Sequence, residues 1–312
     1  MESLLIFFLL IAAFFPKTET DAAPVFWKSD LNGFNRRLPL AEDIDLPYKI
    51  RGAPVFNSSL LAAESVIVAD EKTGRVLFEK DSYDKKSIAS LTKLMAALVW
   101  LENSGDLDGV IEVRNEDFRD GGIAYFLAGE KIRAKDLLYS GLVASSNTAM
   151  AALARSSGIG SENFIALMNQ KAKKLGMENT RFKDPTGLDY HNISTASDIF
   201  LLAKEAFRRP EIHKATQLEK YEFRPIGKNI PRVVRNTNWL LNGSLNSGVY
   251  KVIGGKTGYI EESNYNLAVR VHNSEKNESV VVIILGSPDK QSRFSEARRL
   301  AEWAFNSYLW ET

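Results

Sequence analysis

The spacing of apolar positions changes character along this chain, and each change marks an element. Ser65-Val66-Ile67-Val68-Ala69-Asp70 is short and β-branched, residues 71–74 have turn character, and Arg75-Val76-Leu77-Phe78-Glu79-Lys80 is extended again, which predicts a hairpin. From Ser87 to Gly105 the apolar residues Leu91, Leu94, Met95, Leu98, Val99 and Leu101 recur at helical spacing before a glycine stop. Helical patterns continue over 134–144, 147–156, 161–175 and 196–207, with Gly, Pro and Asn in the loops between them. After Pro225 the chain turns extended: 256–260, 266–271 and 279–285 predict three strands, and Arg293 to Tyr308 predicts a closing amphipathic helix. Strands at both ends with helices between them imply an α/β fold. Its mostly antiparallel sheet is built from N- and C-terminal strands, flanked by helices, with a helical subdomain inserted.

The two leading segments read differently. Leu4 to Phe15 is an apolar run of about 12 residues, short of the roughly 20 that a membrane span needs and suited to the core of a secretory signal. Residues 1–23 are therefore expected to be a signal peptide or an N-terminal anchor, and the protein to be exported to the periplasm or another extracytoplasmic part of the cell envelope. Glu2, the lack of Lys or Arg ahead of the run, and an imperfect small-residue site near Ala22 or Ala23 depart from that pattern. Residues 24–53 have neither helical nor strand periodicity and read as a linker, leaving 54–312 as the globular domain.

Composition narrows the chemistry. A formal net charge of +1 gives no electrostatic case for nucleic acid or an anionic membrane surface as the main partner. Cysteine is absent, which removes disulfides, thiol nucleophiles and thiolate metal sites. An enzyme built from this chain must work with oxygen and nitrogen. The three histidines, His191, His213 and His272, are scattered and read as structural or solvated, and no Gly-x-Ser-x-Gly string supports a Ser-His-Asp hydrolase.

Three short strings carry candidate acyl-transfer chemistry: Ser90-Leu91-Thr92-Lys93, Ser145-Ser146-Asn147 and Lys256-Thr257-Gly258. Each has decoys, at Ser82 to Lys85, Ser287 to Lys290, Lys72-Thr73-Gly74, Ser161-Glu162-Asn163 and Ser244-Leu245-Asn246. Predicted context separates most of them. Lys72 to Gly74 falls at a hairpin tip, Ser82 to Lys85 in a polar turn, Pro288 interrupts one pair, and Ser161 suits a helix cap. On a helix, residues i and i+3 share a face, so Ser90 and Lys93 would point the same way on the first turns of the 87–105 helix. A lysine serves as base only if burial or a nearby cation disfavours its charged form, and Lys256 is the candidate cation. The Ser90 amide at a helix start and the amide of Tyr259 could donate to a developing oxyanion. Ser145, between two helices, suits proton delivery to a leaving amine, and Asn147 could hold Lys93 or a substrate carbonyl. Thr257 could bond a substrate carboxylate, and Gly258 lets a substrate backbone approach.

Together with Lys174-Leu175-Gly176-Met177-Glu178-Asn179-Thr180 and Asp184-Pro185-Thr186-Gly187-Leu188, these strings resemble the low-molecular-mass penicillin-binding proteins, the serine D-alanyl-D-alanine carboxypeptidases and endopeptidases. The resemblance runs from about Ala53 to the end. It implies a β-lactamase/transpeptidase-like fold, no metal or cofactor, action on peptidoglycan stem peptides and cross-links, and acylation by β-lactam antibiotics. By motif match Ser90 would be the nucleophile, Lys93 the proton acceptor, Ser145 the third active-site residue and Lys256 a substrate binder. Asn147, Thr257, Gly258 and Tyr259 join it on the substrate side. Two positions depart from the family: Ile260 stands where many members have Thr, and Ser263-Asn264 where they have Ala-Gly. The chain ends at Thr312, which implies no C-terminal membrane anchor and the layout of the shorter endopeptidases. Asn236-Thr237-Asn238 and His191-Asn192 suit that branch. Two rivals remain. A β-lactamase is disfavoured because no Glu-x-x-Leu-Asn string follows Asn147, and a catalytically silent peptidoglycan-binding protein would have lost the Ser or the Lys.

Overall fold

The computed structural model describes residues 47–246 and 248–310, and a five-stranded antiparallel sheet organises it. The expectations for residues 1–23, and for the linker up to residue 46, lie outside the described residues. The sheet strands are β2 (Ser65–Asp70), β3 (Val76–Lys80), β10 (Tyr250–Ile260), β11 (Asn264–Asn273) and β12 (Glu278–Ser287), in the order β10-β11-β12-β2-β3. The distant halves of the chain meet where β12 pairs with β2, Val282 opposite Val68.

The sheet separates two cores. Val281, Ile283 and Leu285 of β12, with Ile67 and Ala69 of β2, pack into the helical lobe. The alternate residues Val280, Val282 and Ile284, with Val66 and Val68, pack on the closing helix. Side chains alternate across a strand, so a central strand covered on both faces must be apolar at every position, and these two are. β10 is an edge strand.

The helices are α1 (Thr92–Asn103), α2 (Ala134–Val143), α3 (Asn147–Ser156), α4 (Ser161–Lys174), α5 (Ala196–Arg208), α6 (Pro210–Thr216) and α7 (Ser292–Ser307). The bounds of α2, α3, α4, α5 and α7 fall within a residue of the hydrophobic pattern, and Pro210 starts a separate helix α6, its fixed φ suited to a first helical position. α1 is surrounded by α2, α3, α4 and α5, and ten of its 12 residues are buried, Lys93 among them. An ammonium carried there is withdrawn from water.

The expected 87–105 helix is shorter than its periodicity. Lys86–Ser87 is a strand, β4, paired with β7 (Ile193–Ser194), Ala89–Leu91 is a 3₁₀ turn, and the α-helix begins at Thr92. Ala89 has φ 46°, which a right-handed helix excludes. Three more ribbons, of two to four residues a strand, are too short to show a period: β5 (Val110–Glu112) with β6 (Lys131–Arg133), β8 (Lys220–Phe223) with β9 (Arg232–Arg235), and β1 (Tyr48–Lys49) with β13 (Tyr308–Leu309). The last falls within the stretch expected to be linker, so 48–49 belong to a ribbon closed by the end of α7.

Candidate active site

The Ser90 turn is wedged between two glycines. On one side lies Gly187, at φ +85°, whose missing Cβ would fall 2.0 Å from the Ala89 carbonyl oxygen. On the other lies Gly258 of β10, where a Cβ would sit 2.8 Å from Ile88 O and 3.2 Å from Ser90 N. No other residue fits either place without displacing the backbone that carries Ser90. The Ile88 amide donates to Asn192 O at 3.1 Å, which anchors the entry to the turn.

Lys93 Nζ lies 2.8 Å from Ser90 Oγ, 2.7 Å from Asn147 Oδ1 and 2.5 Å from Thr186 O. The amide and carbonyl oxygens can only accept. A neutral amine has two hydrogens and one lone pair, so these two oxygens take the hydrogens and the lone pair is left for the Ser90 hydroxyl. Burial lowers the Lys93 pKa from 10.5 to about 7, against an opposing pull from the Asp184 carboxylate. The expected role of Lys256 in this shift is corrected: burial is what lowers Lys93. The repulsion acts on Lys256, whose pKa falls well below the ordinary lysine value through burial first, then the Lys93 and Arg293 charges.

Lys256 Nζ lies 2.8 Å from Ser145 Oγ and 2.7 Å from Thr257 O. Ser145 occupies the break between α2 and α3 with φ 58°, so both Ala89 and Ser145, beside the two lysines, hold left-handed backbone conformations that cost about 1–3 kcal/mol each. Asn147 starts α3, and its Nδ2 donates to Asp120 O at 3.1 Å. Thr257 Oγ1 pairs with Thr237 Oγ1 at 2.6 Å. The Tyr259 ring is half exposed at the end of β10. The structure thus brings Ser90, Lys93 and Asn147 together, bonds Ser145 to Lys256, and sets Gly258 of the same strand against the Ser90 turn, with Thr257 and Tyr259 on either side of that glycine.

The decoys lie elsewhere. Thr73 bonds the Asp70 carboxylate at the β2–β3 turn, Ser82 Oγ donates to Glu79, and Ser287 Oγ to Asp289 O. Ser161 opens α4, with Gly160 and not Ser161 in the capping position. His191 Nδ1 lies 2.9 Å from Asp189 on the surface, and His272 Nδ1 3.1 Å from Ser279 Oγ.

Sequence reasoning passed over the groups that hold these residues in place. The Asp184 carboxylate accepts from Thr186 N at 2.9 Å, Gly187 N at 3.0 Å and Asn192 Nδ2 at 2.6 Å, a side-chain-closed turn that presents Thr186 O to Lys93. Buried Asn192 also accepts from Lys183 N and donates to Thr92 Oγ1. An Asp two and three residues ahead of Thr-Gly was the available signal. Arg293, at the start of α7, is 3 % exposed and donates to Gly258 O at 3.0 Å and Asn266 O at 3.2 Å, and its burial lowers the guanidinium pKa to about 10. No motif marked it. At Ser263-Asn264, Asn264 takes φ 52°, a glycine-like conformation, while Ser263 Oγ caps Ile260 O and Asn264 O.

Known proteins resemble this chain in sequence and in fold. A D-alanyl-D-alanine endopeptidase of Pseudomonas aeruginosa is 34% identical over 247 residues, 78% of this chain and 77% of that protein. The one from Haemophilus influenzae is 36% identical over 239 residues, 76% and 80% of the two chains. Among solved structures, the Streptomyces K15 DD-transpeptidase superposes with a TM-score of 0.73 at 27% identity, covering 81% of this chain and 98% of its own. A D-alanyl-D-alanine carboxypeptidase of Mycobacterium tuberculosis gives the same score, covering 83% and 96%. The family model for D-alanyl-D-alanine carboxypeptidases matches residues 54–289, and the chain belongs to that family of serine peptidases.

Proposed function

We propose that this enzyme is a D,D-endopeptidase of the cell envelope that cleaves D-alanyl cross-links between peptidoglycan stem peptides through an acyl-enzyme on Ser90. The observation that carries the reading is Lys93 Nζ, 2.8 Å from Ser90 Oγ with its other neighbours both acceptors. Lys93 takes the hydroxyl proton as Ser90 Oγ attacks the D-alanyl carbonyl. The amides of Ser90 and Tyr259 receive the oxyanion; Ser145, held by Lys256, passes a proton to the departing amine and is reprotonated by the proton Lys93 took from Ser90, which returns Lys93 to its free-base form. Water then attacks the ester with Lys93 again as base, releasing a carboxylate and restoring Ser90. Thr257, beside Thr237, takes the carboxylate next to the leaving amine, and Asn147 holds Lys93 and steadies the acyl side. A β-lactam enters the same path, but its leaving amine stays tethered, so the ester persists. No Glu-x-x-Leu-Asn string follows Asn147 to speed its hydrolysis.

Cross-link cleavage is preferred to D-alanine release because the relatives at 34% and 36% identity are named endopeptidases, while a Bacillus subtilis carboxypeptidase matches at 31%. Export is part of the reading, since the substrate lies outside the cytoplasmic membrane and Leu4 to Phe15 suits a secretory signal. Among the described residues no helix is long and apolar enough to cross a membrane. Digestion of purified peptidoglycan tests the reading. Resolved cross-links support it, release of free D-alanine alone makes the enzyme a carboxypeptidase, and neither product makes it a binding protein.

A further inference from the structure

Beyond Thr257 the cleft wall carries two large rings that are exposed and yet held in place. Trp239, 51 % exposed, opens the 3₁₀ turn Trp239–Asn242, two residues after the Thr237 that pairs with Thr257. Its ring stacks on Phe294 of α7 at 5.6 Å, and the Lys290 ammonium stands over it, 3.9 Å from the centroid. Tyr259, 50 % exposed, stacks on Tyr265 at 4.3 Å. Between these pairs lies the Arg293 guanidinium, 5.2 Å from the Tyr265 centroid and 4.6 Å from that of Phe294. Tyr259, Tyr265, Arg293, Phe294 and Trp239 thus form one continuous stack from the end of Lys256-Thr257-Gly258 to Lys290.

Large aromatic rings left at a surface cost hydration unless something covers them, and rings already fixed by their neighbours lose little entropy when that happens. The chemistry of the cover follows from where the stack begins. A peptide laid along the free edge of β10 as an added strand has its acyl carbon at Ser90 and the carboxylate of its leaving residue near Thr257 and Thr237. A terminal D-alanine ends there. A cross-link does not: its leaving residue continues into a second peptide, which must run on past Thr237. Lys290 enters none of the ion pairs among the described residues, and the neighbouring Asp289 carboxylate is turned to Gln291 and Ser292. Its charge complements the free carboxylates of such a peptide.

We propose that Trp239 and Lys290 form a subsite for the second, amine-donating peptide of a D-alanyl cross-link, contacting the part of the substrate that a simple D-alanyl-D-alanine terminus lacks. The inference rests on the endopeptidase reading above. Its test compares kcat/KM on a cross-linked dimer of stem peptides with kcat/KM on a monomeric pentapeptide ending in D-alanyl-D-alanine, for Trp239→Ala, Trp239→Phe and Lys290→Gln. Trp239→Ala lowers dimer cleavage roughly tenfold, mainly through KM, the scale of a truncated aromatic anchor, while pentapeptide turnover and penicillin acylation stay within about twofold. Trp239→Phe retains most of the dimer activity. Lys290→Gln, at an exposed position, lowers dimer cleavage and weakens its dependence on salt. Equal losses on both substrates, or dimer cleavage unchanged in Trp239→Ala and Lys290→Gln, overturns the subsite while leaving the endopeptidase intact. A wild-type enzyme that cleaves no dimer overturns the endopeptidase reading and the subsite with it.

Discussion

Acylation by a fluorescent penicillin, followed by stopped flow between about pH 5 and pH 9, titrates Lys93. Burial lowers its pKa from 10.5 to about 7. At 1.36 kcal/mol for each pH unit, the site disfavours the ammonium by about 5 kcal/mol. At neutral pH roughly half of the Lys93 side chains are then free base, against about 3 in 10⁴ for an unperturbed lysine, a gain on the order of 10³ in competent enzyme. The second-order acylation constant should rise about tenfold per unit below pH 6 and level off above about pH 8. Asp184→Asn separates the two influences on this group. The carboxylate favours the charged lysine and opposes burial, so its removal moves the midpoint downward; the amide oxygen can keep the bonds to Thr186 N and Gly187 N, but its NH2 then faces the Asn192 Nδ2 donor, so a thermal melt accompanies the profile. Lys93→Arg, charged at every accessible pH, should not acylate. A flat profile, a midpoint above about pH 9, or an upward move in Asp184→Asn would refute Lys93 as the buried base. The same shift has a thermodynamic counterpart. Between about pH 7 and 10.5 the unfolded chain binds a proton that the folded Lys93 does not, so this group's contribution to stability rises with pH across that window.

Three further outcomes are expected. Ser90→Ala should abolish penicillin labelling on a denaturing gel while leaving the thermal transition cooperative; labelling that persists places the nucleophile elsewhere. Gly187→Ala drives a methyl into Ala89 O and holds a left-handed φ, so it should lose more than about 2 kcal/mol in denaturant melts and most of its acylation, because the turn that carries Ser90 must move. A stability within about 0.5 kcal/mol of wild type would mean that the two turns do not press on each other. Ile260→Thr returns a hydroxyl to the half-buried end of β10, and should lower KM for a pentapeptide several-fold with little change in kcat; an unchanged KM would remove Ile260 from the substrate edge.

Much of the fold could be read in advance because burial leaves a periodic trace. β12 and β2 are apolar at consecutive positions since each is covered on both faces, and the helix ends fall within a few residues of their pattern breaks. The three strings were legible because their side chains are bonded, Ser90 to Lys93, Lys93 to Asn147 and Ser145 to Lys256, which restricts the residue type at each position. What escaped has a physical cause too. The 87–105 periodicity overruns the α-helix because the Ala89 turn is held by tertiary neighbours, Gly187 and Asn192, about 100 residues away. Local propensity carries no record of them. Arg293 has the composition of an exposed helix-start residue, and only the sheet edge against it makes it a buried donor to Gly258 O.

The pairing of β2 with β12 also sets a timetable. β2 is complete at Asp70, and the strand that flanks it on one side begins at Glu278, about 200 residues later; at roughly 5–20 residues per second, synthesis separates the two by ~10–40 s. Throughout that interval the β2–β3 hairpin offers an unpaired edge of Ser65-Val66-Ile67-Val68-Ala69, an aggregation hazard for any truncated or stalled chain. Lys256 arrives only in that final stretch. A nascent chain therefore holds Ser90 and Lys93 long before the strand that completes their cleft exists, and the enzyme becomes able to react only when nearly the whole chain is present.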